Sequence, residues 1–130
     1  MENINSRKLA CVIARILDDK KAMDIQILNI SSVSVVSDYF VIASGTSSPH
    51  VKGMTSDVRE KIKEFCDRLP ERSETDPKNR WNLVDYGDVV VHIMHKEQRE
   101  TYALEKFWSH ALKINREAWE EESKEFATYK

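Results

Sequence analysis

Residues 80–95, RWNLVDYGDVVVHIMH, constrain the fold most, because this stretch predicts two β-strands joined by a tight turn. Tyr86 and Gly87 are the expected two-residue loop, since glycine adopts the positive φ that short hairpin loops require. The strand pairs that follow from this loop are Asp85 with Asp88, Val84 with Val89, Leu83 with Val90, and Trp81 with His92.

The predicted hairpin has two different faces, because successive side chains of a strand point to opposite sides of a sheet. One face is β-branched and suits a hydrophobic core: Val84, Val89, Val91 and Ile93. The other is mixed in character: Trp81, Leu83, Val90, His92 and Met94, with Asp85 and Asp88 beside the turn. A mixture of aromatic, aliphatic and ionisable side chains is typical of a docking surface. The alternative is that a helix covers this face and that Trp81 belongs to the core, as most strand tryptophans do.

Length and charge limit the possible functions. With 130 residues, the chain is long enough for one domain with a core of two or three layers. The net charge is −2 and the pI is about 6.1, so the chain lacks the basic surplus of proteins that grip nucleic-acid phosphates, and RNA is disfavoured as the main partner. Neither an apolar run of membrane-spanning length nor the apolar region of a signal peptide occurs, so we expect a cytoplasmic protein without membrane contact.

Outside the hairpin, helices and strands alternate along the chain. The predicted helices cover residues 5–18, residues 48–69 with Ser48 as N-cap and Pro49 in the first turn, and a stretch from Lys96 with apolar positions at Tyr102, Leu104, Phe107 and Trp108. The predicted strands cover residues 24–30 and 39–43. The second of these, YFVIA, is apolar without a break, which indicates burial on both faces. Cys11 and Cys66 lie on predicted helices and are expected to be reduced core thiols.

This order predicts an α+β protein in which helices pack on a mixed β-sheet. The connection through the helix after YFVIA is expected to be a right-handed crossover that makes YFVIA parallel to the first hairpin strand. Residues 71–79 are predicted to be a polar loop. The highly charged residues 113–130 predict either a helix with an aromatic edge or a loosely attached tail. We therefore expect a domain of residues 1–112 and a C-terminal extension of residues 113–130.

Enzyme chemistry finds little support in the sequence. Residues 44–48, SGTSS, precede a helix and could hold a phosphate, but they match neither a P-loop nor a Rossmann fingerprint. Asp85 and Asp88 flank a turn and do not lie two apart on one strand, and nothing in the sequence requires Asp38 to join them, so a catalytic metal site is disfavoured. His92 and His95 point to opposite faces, and no zinc-ligand spacing or nucleophile-elbow motif occurs. A nucleotide-binding or nucleotidyl-transferring enzyme that uses residues 44–48 stays open as the alternative function.

Three segments, DYFVIASGTSSPHV, WNLVDYGDVVVHIMH and ETYALEKFW, resemble in order and spacing the ribosomal silencing factor family, also called Iojap-like proteins. The resemblance runs from about residue 7 to residue 108. It implies a small α+β domain similar to a nucleotidyltransferase core without its catalytic carboxylates, which agrees with the missing acidic pair. It also implies a protein that is not an enzyme and needs no cofactor or metal.

The resemblance further implies binding to the large (50S) ribosomal subunit through ribosomal protein L14, on the face that meets the small subunit. Such binding hinders subunit joining and lowers translation when nutrients are short, and homodimers are common in the family. The partner-binding residues implied are Trp81, Leu83, Asp85, Tyr86, His92 and Met94. Residues 71–79 and the chain after Leu112 lie outside the strong resemblance and receive no contacts, and Asn82 stands where the family often has a longer aliphatic residue.

Overall fold

Helices and strands follow the predicted order along the chain, and two short strands, β3 and β6, are added that the sequence did not indicate. The computed structural model describes residues 4–107 and 109–129, so Trp108 lies outside the described residues. The elements are α1 (Ser6–Asp19), β1 (Met23–Asn29), β2 (Tyr39–Gly45), α2 (Ser48–Cys66), β3 (Arg72–Glu74), β4 (Trp81–Asp85), β5 (Val89–His95), α3 (Lys96–Tyr102), α4 (Leu104–Phe107), β6 (Leu112–Ile114), α5 (Arg116–Glu122) and a 3₁₀ helix (Lys124–Tyr129).

The six strands form one mixed sheet in the order β3-β4-β5-β2-β1-β6. Only the β2–β5 pair is parallel, and the other four neighbouring pairs are antiparallel. The α+β class with a mixed sheet is therefore confirmed. The prediction that YFVIA runs parallel to the first hairpin strand is wrong, because the second hairpin strand, β5, takes the place beside β2. The first hairpin strand, β4, pairs with the outer side of β5.

The hairpin forms as predicted, but its register differs from the expected one by two residues. Val84 pairs with Val91 and Trp81 with Met94, and the Tyr86 N–H donates to the Val89 carbonyl at 2.9 Å. The two-residue loop is therefore Gly87-Asp88, with φ of +92° at Gly87. This geometry suits glycine at the first loop position, a preference that the expected Tyr86-Gly87 loop overlooked. Since the shift is an even number of residues, each strand residue keeps its predicted face.

Helices α1 and α2 cover one face of the sheet. The core on this side combines the apolar stripes of both helices with the inward residues of four strands: Leu9, Val12, Ile13, Leu17, Ile27, Val41, Met54, Val58, Ile62, Val84, Val91 and Ile93. Strand β2 is buried from both sides as predicted, because Val41 faces this core while Ile42 lies in a second cluster on the other face. Cys11 and Cys66 are buried free thiols on α1 and α2, as predicted, and burial raises the pKa of Cys11 to about 11.

Helix α2 is shorter than predicted at its C-terminal end and is capped one residue earlier at its start. The Ser47 side chain accepts the His50 N–H at 3.2 Å, so Ser47 is the N-cap. The helix ends at Cys66, because Asp67 adopts the left-handed conformation with φ of +52°. Leu69 is consequently not part of the helix and is 70% exposed.

The C-terminal segment packs on the same core as the rest of the chain. Strand β6 pairs with β1, and the expected boundary between residues 112 and 113 falls inside this strand. Trp119 on α5 and Phe126 on the 3₁₀ helix are 1% and 5% exposed in the main core cluster. The segment therefore has the predicted helix with an aromatic edge and is not a loosely attached tail.

Candidate functional site

The six residues implied to bind a partner lie on neighbouring strands, but one of them faces away from the others. Val84, Tyr86 and Val91 pack toward α1 and α2, so the residues that alternate with them point to the opposite side of the sheet. Five of the six share this opposite side: Trp81, Leu83, Asp85, His92 and Met94. The grouping of these side chains on one face of the hairpin is confirmed.

This second face of the sheet is only partly covered. Five buried apolar side chains form a small cluster there: Leu28, Ile30, Ile42, Met94 and Ala111. Phe40, Trp81 and Leu104 pack against the cluster and stay half-buried. We call the uncovered part the open sheet face, defined by Phe40, Trp81, Leu83 and Asp85, none of which is fully buried. Trp81 thus rests on a small core and still keeps an accessible side, and its role in docking stays a prediction.

Trp81 is oriented by its neighbours. Its Nε1–H donates to Nδ1 of His92 at 3.2 Å. Its ring lies 5.1 Å from the Tyr102 ring and 6.0 Å from the His92 ring, measured between centroids. Phe40 meets His92 edge-on at 4.7 Å. Four aromatic rings therefore hold one another in fixed orientations on this face, as edge-to-face and tilted aromatic contacts do.

His92 is neutral in this arrangement. An indole N–H can only donate, so Nδ1 of His92 must accept, and the proton of the neutral ring lies on Nε2. Burial lowers the pKa of His92 to about 4, since the charged form loses its hydration. The Nε2 atom is buried and has no hydrogen-bond partner among the described residues. His92 therefore supports Trp81 from below without carrying charge.

The neutral state of His92 predicts a stability that depends on pH. In the unfolded chain its pKa returns to about 6.5, so the unfolded state takes up the proton first as the pH falls. Stability is complete above about pH 6.5 and is lost as the pH falls toward 4. At pH 5 the loss from this group is about 2 kcal/mol. Urea unfolding at pH 7 and pH 5 measures it, and a His92→Gln variant, which keeps an acceptor for Trp81, should lack this part of the loss. Equal losses in both proteins would contradict a neutral buried His92.

Asp85 and Asp88 point in different directions, although they flank the same turn. One oxygen of Asp85, Oδ1, accepts the Gly87 N–H at 2.7 Å, which leaves Oδ2 on the open sheet face. Asp88 accepts from Arg68 at 2.8 Å and from the Ser6 hydroxyl at 2.8 Å, so it ties the turn to α1 and to the chain after α2. Burial raises the pKa of Asp88, but the hydrogen bonds from Arg68 and Ser6 outweigh it and the net shift is downward. Within the described residues, no group of three or more His, Cys, Asp or Glu side chains is placed to hold a metal ion.

Tyr86 does not lie on the open sheet face. It is 1% exposed in the helix-side core, with the Arg68 guanidinium 5.7 Å from its ring centroid. Burial raises the pKa of its hydroxyl, which has no hydrogen-bond partner within the part of the chain that the structure describes. The expected loop Tyr86-Gly87 placed this residue at the turn, whereas the observed loop makes it the last residue before the turn and gives it a core position.

The turn at residues 44–48 is occupied by its own hydrogen bonds. The Thr46 N–H donates to Nδ1 of His50 at 3.0 Å, and Ser44 Oγ accepts from Arg99 at 2.8 Å. Ser47 Oγ accepts the His50 N–H, and Ser48 Oγ donates to the Lys78 carbonyl at 2.9 Å. These hydrogen bonds engage the hydroxyl groups of Ser44, Ser47 and Ser48 and the Thr46 N–H within the protein, which weakens the support for the nucleotide-binding alternative.

Four residues near the open sheet face were not assigned from the sequence: Phe40, Arg72, Glu74 and Tyr102. Alternation along YFVIA could have placed Phe40 on this face. Val41 faces the helices, so its neighbour Phe40 points to the opposite side of the sheet. Tyr102 lies beside Trp81 because of where α3 packs. Arg72 and Glu74 lie opposite Asp85 and Leu83 because β3 pairs with β4. No local pattern in residues 71–79 indicated that pairing.

Taken together, the geometry is that of an α+β protein with one partly open aromatic sheet face, the kind of surface that suits a binding protein. The chain belongs to the ribosomal silencing factor (RsfS) family, described as "Ribosomal silencing factor during starvation", which it matches over residues 3–130.

Individual relatives agree with this assignment. The chain is 37% identical to ribosomal silencing factor RsfS of Bacillus subtilis, over 83% of this chain and 91% of the relative. It is 34% identical to the mouse protein named mitochondrial assembly of ribosomal large subunit protein 1, over 75% of this chain and 44% of that protein. The fold is similar to a crystal structure of a Chromobacterium violaceum protein, with a TM-score of 0.78, 31% identity, and coverage of 82% of this chain and 88% of that chain. None of the helices in the described residues is long and apolar enough to cross a membrane.

Proposed function

We propose that this protein is a ribosomal silencing factor that acts in the cytoplasm. It binds the large (50S) ribosomal subunit through ribosomal protein L14, blocks association with the small subunit, and represses translation when nutrients are limiting. The observation that carries the proposal is the family match over residues 3–130. The names of the relatives, a ribosomal silencing factor and a protein of large-subunit assembly, support it.

The open sheet face is the proposed docking surface. Trp81, Leu83 and Asp85 make the direct contacts, because they are accessible on one side of β4. His92 and Met94, which are 6% and 0% exposed, lie beneath them and fix their positions. Tyr86 contributes from the opposite face by holding the hairpin on α2. A half-buried aromatic residue oriented by its neighbours is typical of the few residues that carry most of the energy of an interface.

Silencing of this kind requires no chemical step, cofactor or metal. A protein bound to the intersubunit surface excludes the other subunit sterically, and the extent of exclusion follows mass action. The same aromatic surface suits a homodimer, which we include in the proposal, because self-association would cover it. Analytical ultracentrifugation at increasing protein concentration measures the dimer.

Co-sedimentation with purified large subunits tests the proposal, together with a subunit-joining assay and a pull-down of isolated L14. The protein should pellet with large subunits and reduce joining in proportion to its occupancy. The alternative function is tested by nucleotide-binding calorimetry. Nucleotide binding that is lost in a Ser47→Ala variant, without co-sedimentation, would contradict the proposal.

The salt dependence of binding separates a protein partner from an RNA partner. Binding that involves six to ten phosphate contacts loses roughly 10³–10⁵ in affinity between 50 and 200 mM salt. Because the chain has a net charge of −2 and the open sheet face is largely apolar, we expect a loss of less than about tenfold. Affinity for large subunits measured across this range checks the expectation, and a loss of a thousandfold would indicate that rRNA is the main contact.

A further inference from the structure

The edge strand β3 brings two charged side chains to the border of the open sheet face. In its pairing with β4, Arg72 lies opposite Asp85 and Glu74 lies opposite Leu83. Directly opposed residues of an antiparallel pair share one face of the sheet, so Arg72 and Glu74 point to the same side as Leu83 and Asp85. All three residues of β3 are exposed. The strand therefore forms a charged rim beside the apolar part of the face.

Arg72 is held only loosely in this rim. Its Nη2 lies 3.7 Å from Oδ2 of Asp85, and its Nε lies 3.9 Å from Oε2 of Glu74. Both distances exceed that of a hydrogen bond, and the Arg72 and Glu74 side chains are 64% and 63% exposed. Exposed ion pairs of this kind contribute little to stability, so another cation could replace Arg72 at small cost.

Two carboxylates flank the Arg72 guanidinium, so this edge of the face has more acidic than basic groups. They belong to Glu74 on β3 and Asp85 on β4. Asp85 keeps Oδ2 free of other hydrogen bonds, because the turn uses Oδ1. A partner that covers Trp81 and Leu83 and carries a lysine or arginine beside its apolar contact would thus meet a complementary site.

We propose that β3 is the cation-binding rim of the docking surface: Asp85 and Glu74 receive a lysine or arginine side chain of the partner protein, and Arg72 occupies that position in the free protein and is displaced on binding. This inference rests on the proposed function and deepens it, since it specifies the chemistry of the partner at one edge of the surface. Arg72 therefore weakens binding although it lies in the interface, because it must leave this position before the partner's cation can enter.

The test uses affinity for purified large ribosomal subunits, measured with the full chain. An Arg72→Gln variant should bind about two- to fivefold more tightly, and a Glu74→Gln variant about two- to fivefold more weakly, which are the sizes expected for exposed charge pairs. In an Asp85→Asn background, whose amide oxygen still accepts from Gly87, the gain from Arg72→Gln should be smaller, because only Glu74 remains to receive the cation. The Arg72 and Glu74 side chains are exposed, so their variants should leave the fold intact, and circular dichroism verifies this for all the variants, Asp85→Asn included.

The ion pair of Lys63, in the last turn of α2, and Asp67, the C-cap residue of α2, provides matched controls. Their side chains are 53% and 63% exposed, close to the values for Arg72 and Glu74. Lys63→Gln and Asp67→Asn make the same changes in net charge away from the surface and should leave the affinity unchanged. Equal effects at both places would mean a general charge effect and would overturn the inference.

Further outcomes separate this inference from the proposed function. Weaker binding by Arg72→Gln would mean that Arg72 itself contacts an anion of the partner, and unchanged binding by both rim variants would mean that β3 lies outside the interface. Either result overturns the inference about β3. The docking surface is tested separately by Trp81→Ala, and a loss of binding in that variant would support the surface even if the inference about β3 fails. If Trp81→Ala also leaves binding unchanged, the docking surface itself is incorrect.

Discussion

Replacing Trp81 with alanine should weaken binding to large ribosomal subunits at least tenfold. Trp81 is half-buried, donates to His92 and lies against Tyr102, so its ring is presented in one orientation on the open sheet face. Aromatic residues in such positions cost about 2 kcal/mol or more when truncated, and about 1.4 kcal/mol corresponds to a factor of ten in affinity. Co-sedimentation over a range of subunit concentrations measures the change.

Val91→Ala is the control for this prediction, because Val91 lies on the same hairpin but faces α1 and α2 with no exposure. This change should lower the free energy of unfolding by up to a few kcal/mol, as truncations in a core do, and leave the binding of the folded protein unchanged. Circular dichroism must first establish that each variant is folded. If Trp81→Ala unfolds the protein while the folded fraction binds normally, Trp81 is a core residue and the docking surface lies elsewhere.

The second large effect is expected at the C-terminal end of the chain. Trp119→Ala should lower the free energy of unfolding by about 3–5 kcal/mol, the range for buried tryptophan and phenylalanine truncations. Trp119 is 1% exposed in the main core, and the Arg116 guanidinium lies 4.8 Å from its ring centroid. Phe126, which follows on the 3₁₀ helix, places its ring 5.7 Å from that of Phe65 on α2. The segment thus completes the core that α1 and α2 begin.

Denaturant unfolding measures this loss, with Leu112→Ala as the control. Leu112 is 73% exposed on β6, so its truncation should change stability by no more than about 0.5 kcal/mol. The comparison also tests the division of the chain into residues 1–112 and 113–130. A separate extension would tolerate Trp119→Ala without loss of stability in the remaining domain, and that result would support the division.

The two faces of the hairpin illustrate what local patterns can establish. Side-chain direction alternates along any extended strand, so the core set with Val84 and Val91 and the opposite set with Trp81 and Leu83 were predictable whatever the exact pairing. The loop was not equally determined, because glycine at residue 87 suits both the first and the second loop position of a two-residue turn. The observed choice placed Tyr86 in the core. For this reason one residue of the implied site, Tyr86, lies in the core and not at the turn.

The sequence by itself determined the α+β class, the helices α1 and α2, the buried strand β2 and the aromatic face of the hairpin, since each follows from the periodicity of apolar residues within one segment. Only the tertiary structure decided the edges of the sheet. Strands β3 and β6 have three residues each, too few to show a periodicity of their own, and they form because β4 and β1 offer unpaired backbone groups. Pairing with these free edges places Arg72 and Glu74 beside the proposed docking surface and joins β6, which leads into the helix of Trp119, to the sheet. Such contacts between distant segments depend on which backbone edges remain free after the central strands have paired.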